Sequence, residues 1–200
     1  MNLPNKITIS RIVLAIIILI MLVIPWHALG VNFPIYSTIF KTTLDTPINL
    51  KYIIAGILFM IASITDRIDG QIARKRNMVT DLGKMLDAIA DKILVNGVLI
   101  ILAYDRIIPL LIPVVIITRD IITDTCKMVS GNKGKVVAAS SLGKLKTVFM
   151  MTGLTLTFFG NLPFALIHFN FSNLCLIIAT LLSVISGCQY YFNTIELLKE

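Results

Sequence analysis

The sequence predicts an all-α integral membrane protein of six transmembrane helices, with both termini on the cytoplasmic side. Three observations predict it. Of 200 residues, 56% are hydrophobic and only 14% charged, with a mean hydropathy of +0.88, a balance too apolar for a surface facing water. Six continuous apolar runs divide the chain, each close to the ~20 residues that cross a ~30 Å hydrocarbon core. With six spans, 15 of the 18 Lys and Arg fall on the side that carries both termini, leaving only Lys41, Lys51 and Arg106 opposite. The richer side is the cytoplasmic one.

The first run covers residues 9–26 and has no small-residue cleavage site, so it reads as a retained helix rather than a removed leader. Residues 31–47, with two prolines and several Ser and Thr, read as an external loop. The second run is 48–65. The third, 83–104, opens on Gly83, and the fourth, 107–128, carries Arg119 and Asp120. The fifth, 145–160, is the shortest and can extend back to Ser140; the sixth is 171–191. The runs are continuous rather than alternating, which selects helices over barrel strands. Trp26, Tyr36, Tyr104, Tyr190 and Tyr191 fall where interfacial aromatics are expected. One membrane domain accounts for residues 1–200.

Cys126, Cys175 and Cys188 are odd in number and lack paired spacing, so neither a disulfide framework nor a zinc site is signalled. His27 and His168 stand far apart in the sequence, each at the end of an apolar run. The net charge of +7 lies between apolar segments rather than on a polar surface. That points to a membrane surface and anionic substrates, not nucleic acid.

The acids concentrate with the basic residues. Asp66 and Asp69 share a face at i, i+3 at the end of the second helix, and Asp87 and Asp91 share one at i, i+4 on the third. Asp91 lies ~12 Å along that helix from Gly83, in or near the hydrocarbon, where an acid implies function. Four facing carboxylates repel, and a divalent cation relieves that repulsion. An all-carboxylate set suits Mg²⁺ or Mn²⁺, and four acids can hold two ions ~4 Å apart. Gly70 and Gly83 let a bulky ligand approach the backbone, and Arg74 supplies a planar cation for phosphate. The assembled features describe a nucleotide-diphosphate site at a membrane surface.

The stretch Asp66-x2-Asp69-Gly70-x2-Ala73-Arg74-x8-Gly83-x3-Asp87-x3-Asp91 resembles the signature of the CDP-alcohol phosphatidyltransferase family at each defined position. The resemblance implies a six-helix membrane fold, a bound metal pair, release of CMP and a homodimer. It implies that Asp66, Asp69, Asp87 and Asp91 hold metal and that Asp91 is also the general base. It further implies that Asp66, Asp69, Gly70, Ala73, Arg74 and Gly83 bind CDP-diacylglycerol, and Thr80, a hydroxyl near the same mouth, joins them.

A second set, Arg119, Lys127, Lys133, Lys135, Lys144 and Lys146, forms a basic pocket suited to an acceptor carrying its own phosphate. The segment Gly143-Lys144-x-Lys146-Thr147 and the opening Leu3-Pro4-Asn5-x2-Thr8-x2-Arg11 resemble the branch of that family whose acceptor is glycerol 3-phosphate. Two departures stand out: Arg119-Asp120 replaces the usual Arg-Glu, and Lys127 replaces the Arg eight residues on, which keeps charge but loses bidentate geometry. Inositol phosphate and serine are the alternative acceptors. A divalent-cation transporter is the alternative class, though transport does not require Asp-Gly-x2-Ala-Arg. Other features have plain readings. Lys75 and Arg76 anchor topology; Lys133 and Lys135 serve equally as positive-inside charge. Asn96 and Gln189 suit hydrogen bonds between helices, and Asp124 can pair with Lys127.

Overall fold

The computed structural model describes residues 3–31, 33, 49–75, 80–132 and 141–199. Among these the regular elements are six α-helices and two short 3-10 turns, with no strand. The helices are α1 (Leu3–Val23), α2 (Leu50–Lys75), α3 (Asp81–Tyr104), α4 (Leu111–Asn132), α5 (Ser141–Phe158) and α6 (Phe171–Lys199). The external loop expected over 31–47 lies almost wholly outside the described residues.

Each predicted run is a helix, and the differences lie at the ends. α2 continues ten residues past the expected stop at Thr65, so the acidic motif is carried on helix. No proline interrupts that stretch, and Gly70 alone costs only ~1 kcal/mol in a helix interior. α3 starts at Asp81 because Thr80 caps it: the Thr80 hydroxyl accepts the Gly83 N–H at 3.1 Å. α4 starts at Leu111, four residues later than the run predicts. Arg106 adopts φ 59°, which ends helical geometry, and the Pro109 carbonyl accepts the first amide of the new helix from Ile112 at 3.1 Å. α5 reaches back to Ser141, close to the extension the sequence allowed.

The helices pack as two triplets. α1 lies against α2 and α3; α6 lies against α4 and α5. The seam between triplets is made where α2 meets α5 and α3 meets α4. One apolar core runs through both, with Ala15, Ile18, Phe59, Val98 and Leu102 in the first triplet and Ile116, Leu154, Phe158 and Leu176 in the second. Small residues set the approach distances. At the seam, Gly56 faces Phe158 so closely that an added Cβ would lie 2.7 Å from the Phe158 Cβ, and the Phe59 and Phe158 rings pack at 5.6 Å between centroids. Between α1 and α3, an added Cβ at Gly97 would lie 2.6 Å from a Leu19 methyl.

The ends away from the acids are tied by polar contacts. The Tyr52 hydroxyl donates to Asp105 at 2.5 Å, joining α2 to the end of α3. Buried Asn161 donates to the Phe169 carbonyl at 2.6 Å and accepts the Ser172 amide at 2.9 Å, closing the α5–α6 turn. On the outside the polarity inverts. Val13, Ile17 and Ile20 on α1, Ile61 on α2, Ile100 on α3, Ile121 on α4, Val148 on α5 and Leu181 on α6 are all exposed, an apolar exterior that water does not tolerate over this area. By length and composition, Phe171–Glu196 is a helix able to cross a membrane, and Thr8–Val23 is a shorter apolar stretch. Helices α2 to α5 each bring charged residues into one end, which interrupts their apolar length.

The Gly56 contact generates a test. Gly56→Leu should lower the unfolding temperature in detergent, because overpacking costs ~1–3 kcal/mol while losing glycine from a helix returns only ~1. A midpoint at or above wild type would mean that α2 and α5 are not packed this tightly.

Candidate active site

The charged ends of α1 to α5 converge. Asp87 and Asp91, one turn apart on α3, reach the same cavity as Asp66 from α2. It holds about 430 Å³ and is completed by Ser63, Ile64, Ala88, Thr147 and Met151. Three of the four predicted metal ligands are thus brought together. Asp69, Gly70, Ala73 and Arg74 continue the helical path of α2, but their side chains lie outside the described residues. Thr80 is occupied locally as the α3 cap, and the Gly83 amide is its donor.

Arg11 sits beneath the acids. Its side chain is 2% exposed, and Nη1 donates to Oδ1 of Asp66 and, at 2.8 Å, to Oδ1 of Asp87. The Gly97–Leu19 contact explains the placement: Leu19 is roughly two turns along α1 from Arg11, and Gly97 roughly three along α3 from Asp87, which levels the two side chains. The sequence reading placed Arg11 in a motif without giving it a role. The available signal was an arginine at the start of an apolar run, where a buried cation demands a partner.

The donor set fits a hard divalent cation. Three carboxylates and the hydroxyls of Ser63 and Thr147 line the cavity, with no His or Cys, and oxygen-only surroundings select Mg²⁺ or Mn²⁺. Among the described residues the acids do not close into a ready three-ligand cage. His27 lies in the 3-10 turn after α1 and His168 between α5 and α6, away from the acids. The three cysteines are free, with Cys126 and Cys175 buried and Cys188 exposed.

A second cavity, of about 350 Å³, opens beside the first across the α3–α4–α5 seam. Arg119, Lys127, Lys144 and Lys146 all line it, together with Asp91, Lys92, Asn96, Asp120, Asp124, Thr147 and Tyr190. Of the expected acceptor residues, Lys133 and Lys135 lie outside the described residues. Asp91 and Thr147 belong to both cavities.

Acids organise these cations. The Asp120 Oδ1 accepts from Lys146 at 2.8 Å and from Arg119 at 3.0 Å, and Arg119 also donates to the Ser186 hydroxyl at 2.9 Å. Gly187 leaves room for Arg119, whose Cγ would meet an added Cβ at 2.7 Å. Lys146 is buried, whereas Lys144 is exposed. Asp124 pairs with Lys92 of α3 and lies 3.8 Å from Lys127, so the pairing expected with Lys127 is accompanied by a bridge between helices. Asn96, read as a simple hydrogen-bonding group, faces this polar cavity. Tyr190, expected as an interfacial aromatic, is buried and lines this cavity, and Asp120, read only beside Arg119, lines it too, because the packing of α4, α5 and α6 brings both to it.

Residues 1–185 match the CDP-alcohol phosphatidyltransferase family. The chain is 40% identical over 200 residues to the CDP-diacylglycerol–glycerol-3-phosphate 3-phosphatidyltransferase of Bacillus subtilis (strain 168), covering 99% of this chain and 97% of that one. It is 32% identical over 191 residues to the protein of the same name from Rickettsia bellii (strain RML369-C), covering 95% and 93%. A relative of that name from Mycoplasma pneumoniae (strain ATCC 29342 / M129 / Subtype 1) is 34% identical over 158 residues, 79% of this chain and 68% of that one.

Asp120 supplies the test here. Asp120→Ala leaves Lys146 and Arg119 beside each other without their shared acid, and should destabilise the fold by about 3–5 kcal/mol. Adding Lys146→Met should recover part of the loss in thermal unfolding. Equal midpoints for the single and double variants would show that the buried ammonium does not depend on Asp120.

Proposed function

The chain belongs to the CDP-alcohol phosphatidyltransferase family, and from that premise we propose that it transfers a phosphatidyl group from CDP-diacylglycerol to glycerol 3-phosphate. The products are phosphatidylglycerol phosphate and CMP, a step of phospholipid biosynthesis. One observation carries the reading: Asp91 stands in the wall shared by an acidic cavity and a basic one. A donor diphosphate needs the first, an acceptor phosphate needs the second, and a base is needed where they meet.

The residues divide the work. Asp66, Asp69, Asp87 and Asp91 would hold two Mg²⁺ or Mn²⁺ ions, whose charge would neutralise the diphosphate and the charge developing on CMP. Gly70, Ala73, Arg74, Thr80 and Gly83 bind the cytidine diphosphate portion. Arg119, Lys127, Lys135, Lys144 and Lys146 bind the acceptor's phosphate, with Lys146 and Arg119 fixed by Asp120 and exposed Lys144 free to close on it. Asp91 then accepts the proton of the acceptor hydroxyl. The oxygen attacks the phosphorus that bears diacylglycerol, the P–O bond to CMP breaks, and CMP leaves with the electron pair. No covalent enzyme intermediate is required.

The membrane placement follows the same logic. Six spans with both termini cytoplasmic put the acids and the basic cavity at the cytoplasmic face, and the apolar exterior of all six helices supports burial in lipid. The lipid donor then arrives laterally while the soluble acceptor arrives from water.

Four outcomes test this reading. Purified protein with Mg²⁺ or Mn²⁺ should release CMP from CDP-diacylglycerol when given glycerol 3-phosphate, but not with glycerol, serine or inositol phosphate. Asp91→Asn should lower that rate by ~10²–10⁴-fold; release with another acceptor, or an active Asp91→Asn enzyme, would overturn the acceptor or the base. Lys144→Met should raise KM for glycerol 3-phosphate about tenfold with little change in kcat, and an unchanged KM would remove Lys144 from the pocket. For topology, a cysteine-free protein carrying Arg106→Cys should react with an impermeant maleimide on intact cells, and one carrying Lys199→Cys should not. Reaction at 199 would reverse the orientation.

A further inference from the structure

The proposed reaction asks Arg119 to hold the acceptor's phosphate, yet part of what aims its guanidinium comes from α6, which lends no charged group to either cavity. We propose that Ser186 and Gly187 of α6 form a positioning socket for Arg119, and that this socket sets the affinity for the phosphorylated acceptor. The inference deepens the acceptor reading of the basic cavity and rests on it.

Three contacts build the socket. The first is polar. Ser186 is fully buried, and its hydroxyl donates its single proton to the Ser183 carbonyl, one turn back on α6, at 3.2 Å. The oxygen therefore presents lone pairs to Arg119, whose Nη2 donates to it at 2.9 Å. The second contact is steric. An added Cβ at Gly187 would lie 2.7 Å from the Arg119 Cγ and 3.7 Å from its Cδ, so the arginine stem crosses α6 where no side chain stands. The third holds the other end of the guanidinium, where Nη1 donates to Asp120 at 3.0 Å. Asp120 is the neighbour of Arg119 on α4 and moves with that helix, whereas Ser186 registers the group against a second one. A planar cation held at its stem and at both terminal nitrogens has one orientation, and recognition of phosphate by arginine depends on orientation.

The surroundings show why such a socket matters. Arg119 lines the basic cavity and also an apolar groove of about 580 Å³ between α4 and α6, beside Val114, Ile122, Val184 and Phe192. It is the one charged residue in the described lining of that groove. A guanidinium gains nothing from the apolar side of this boundary, and the socket fixes it where the basic cavity can use it. A serine that only satisfied a buried arginine would affect stability, and both substrates alike. A positioning serine acts on one substrate, through Arg119.

The experiment measures CMP release by full-length protein in detergent with Mg²⁺ and CDP-diacylglycerol, varying glycerol 3-phosphate. Ser186→Ala should raise KM for glycerol 3-phosphate about tenfold, with kcat and the KM for CDP-diacylglycerol little changed. Gly187→Ala should do the same by displacing the stem. Ser183→Ala removes another fully buried hydroxyl of α6, one that is not bonded to Arg119, and should leave KM at the wild-type value. In an Arg119→Met background, itself raised in KM, Ser186→Ala should add nothing. An unchanged KM in Ser186→Ala, or an effect that persists without Arg119 or falls equally on CDP-diacylglycerol, would overturn the proposal. Failure of both Ser186→Ala and Gly187→Ala to fold would also overturn it, by assigning the pair to helix packing alone. If Arg119→Met gives no turnover, the two α6 variants against Ser183→Ala decide. An Arg119→Met enzyme with wild-type KM would remove Arg119 from the acceptor pocket, and the inference falls with that reading.

Discussion

The arrangement depends on one constraint, that among the described residues a cation buried in this apolar bundle meets an acid. Moving an ion out of water costs several kcal/mol even after relaxation, and a good pair roughly cancels that cost rather than adding stability. Each inward cation obeys. Arg11 meets Asp66 and Asp87, Lys146 and Arg119 meet Asp120, and Lys92 meets Asp124. These pairs are poor glue, and the fold is held instead by the apolar core and the close approach of small residues at Gly56 and Gly97. What the pairs achieve is to keep polar groups inside the bundle, in fixed positions, where the chemistry needs them.

That constraint also separates what was legible in the sequence from what was not. All six helices were readable, because apolar length is a local property of the sequence. The pairs Asp66–Asp69 and Asp87–Asp91 were readable as shared helix faces from i, i+3 and i, i+4 spacing, and Asp66, Asp87 and Asp91 do line one cavity, while the Asp69 side chain lies outside the described residues. Arg119, Lys127, Lys144 and Lys146 were readable as cations that need an anion, and the helices do bring them to one cavity. The pairings were not readable. Arg11 lies 55 residues from Asp66 and 76 from Asp87, and nothing local in a single sequence states which acid a buried arginine will find. Asp120 was visible only as a departure from the usual Arg-Glu pair, while its grip on Lys146 depends on how α4 and α5 pack around α6.

The helix ends show the same limit on a smaller scale. Apolarity ends near Thr65, yet the helix runs on to Lys75, past the Asp66 and Asp69 read at its end, because Arg67, Gln71, Ala73, Arg74 and Lys75 are good helix formers. The opposite error occurs at α4. Apolarity resumes at Ile107, but the left-handed Arg106 and Pro109 hold the chain out of helix until Leu111. Hydropathy reports the solvent a residue prefers, and backbone chemistry decides where a helix starts and stops.

The division into triplets then has a chemical meaning. The acids of the first cavity belong to α2 and α3, and most of the cations of the second belong to α4 and α5, so the proposed reaction would receive donor and acceptor in different halves of the fold, meeting at the seam. Charge bookkeeping in the second cavity fits this. Its lining carries five cations, Lys92, Arg119, Lys127, Lys144 and Lys146, against three acids, Asp91, Asp120 and Asp124, a net of two positive charges. A phosphate monoester carries about −1.5 to −2 near neutral pH, so glycerol 3-phosphate brings the cavity close to neutrality. An uncharged alcohol leaves the surplus uncompensated, and a zwitterion such as serine offers nothing to offset it. In the proposed reaction the excess of cations over acids would favour a phosphorylated acceptor, and Asp120 limits that excess while holding Arg119 and Lys146 in place.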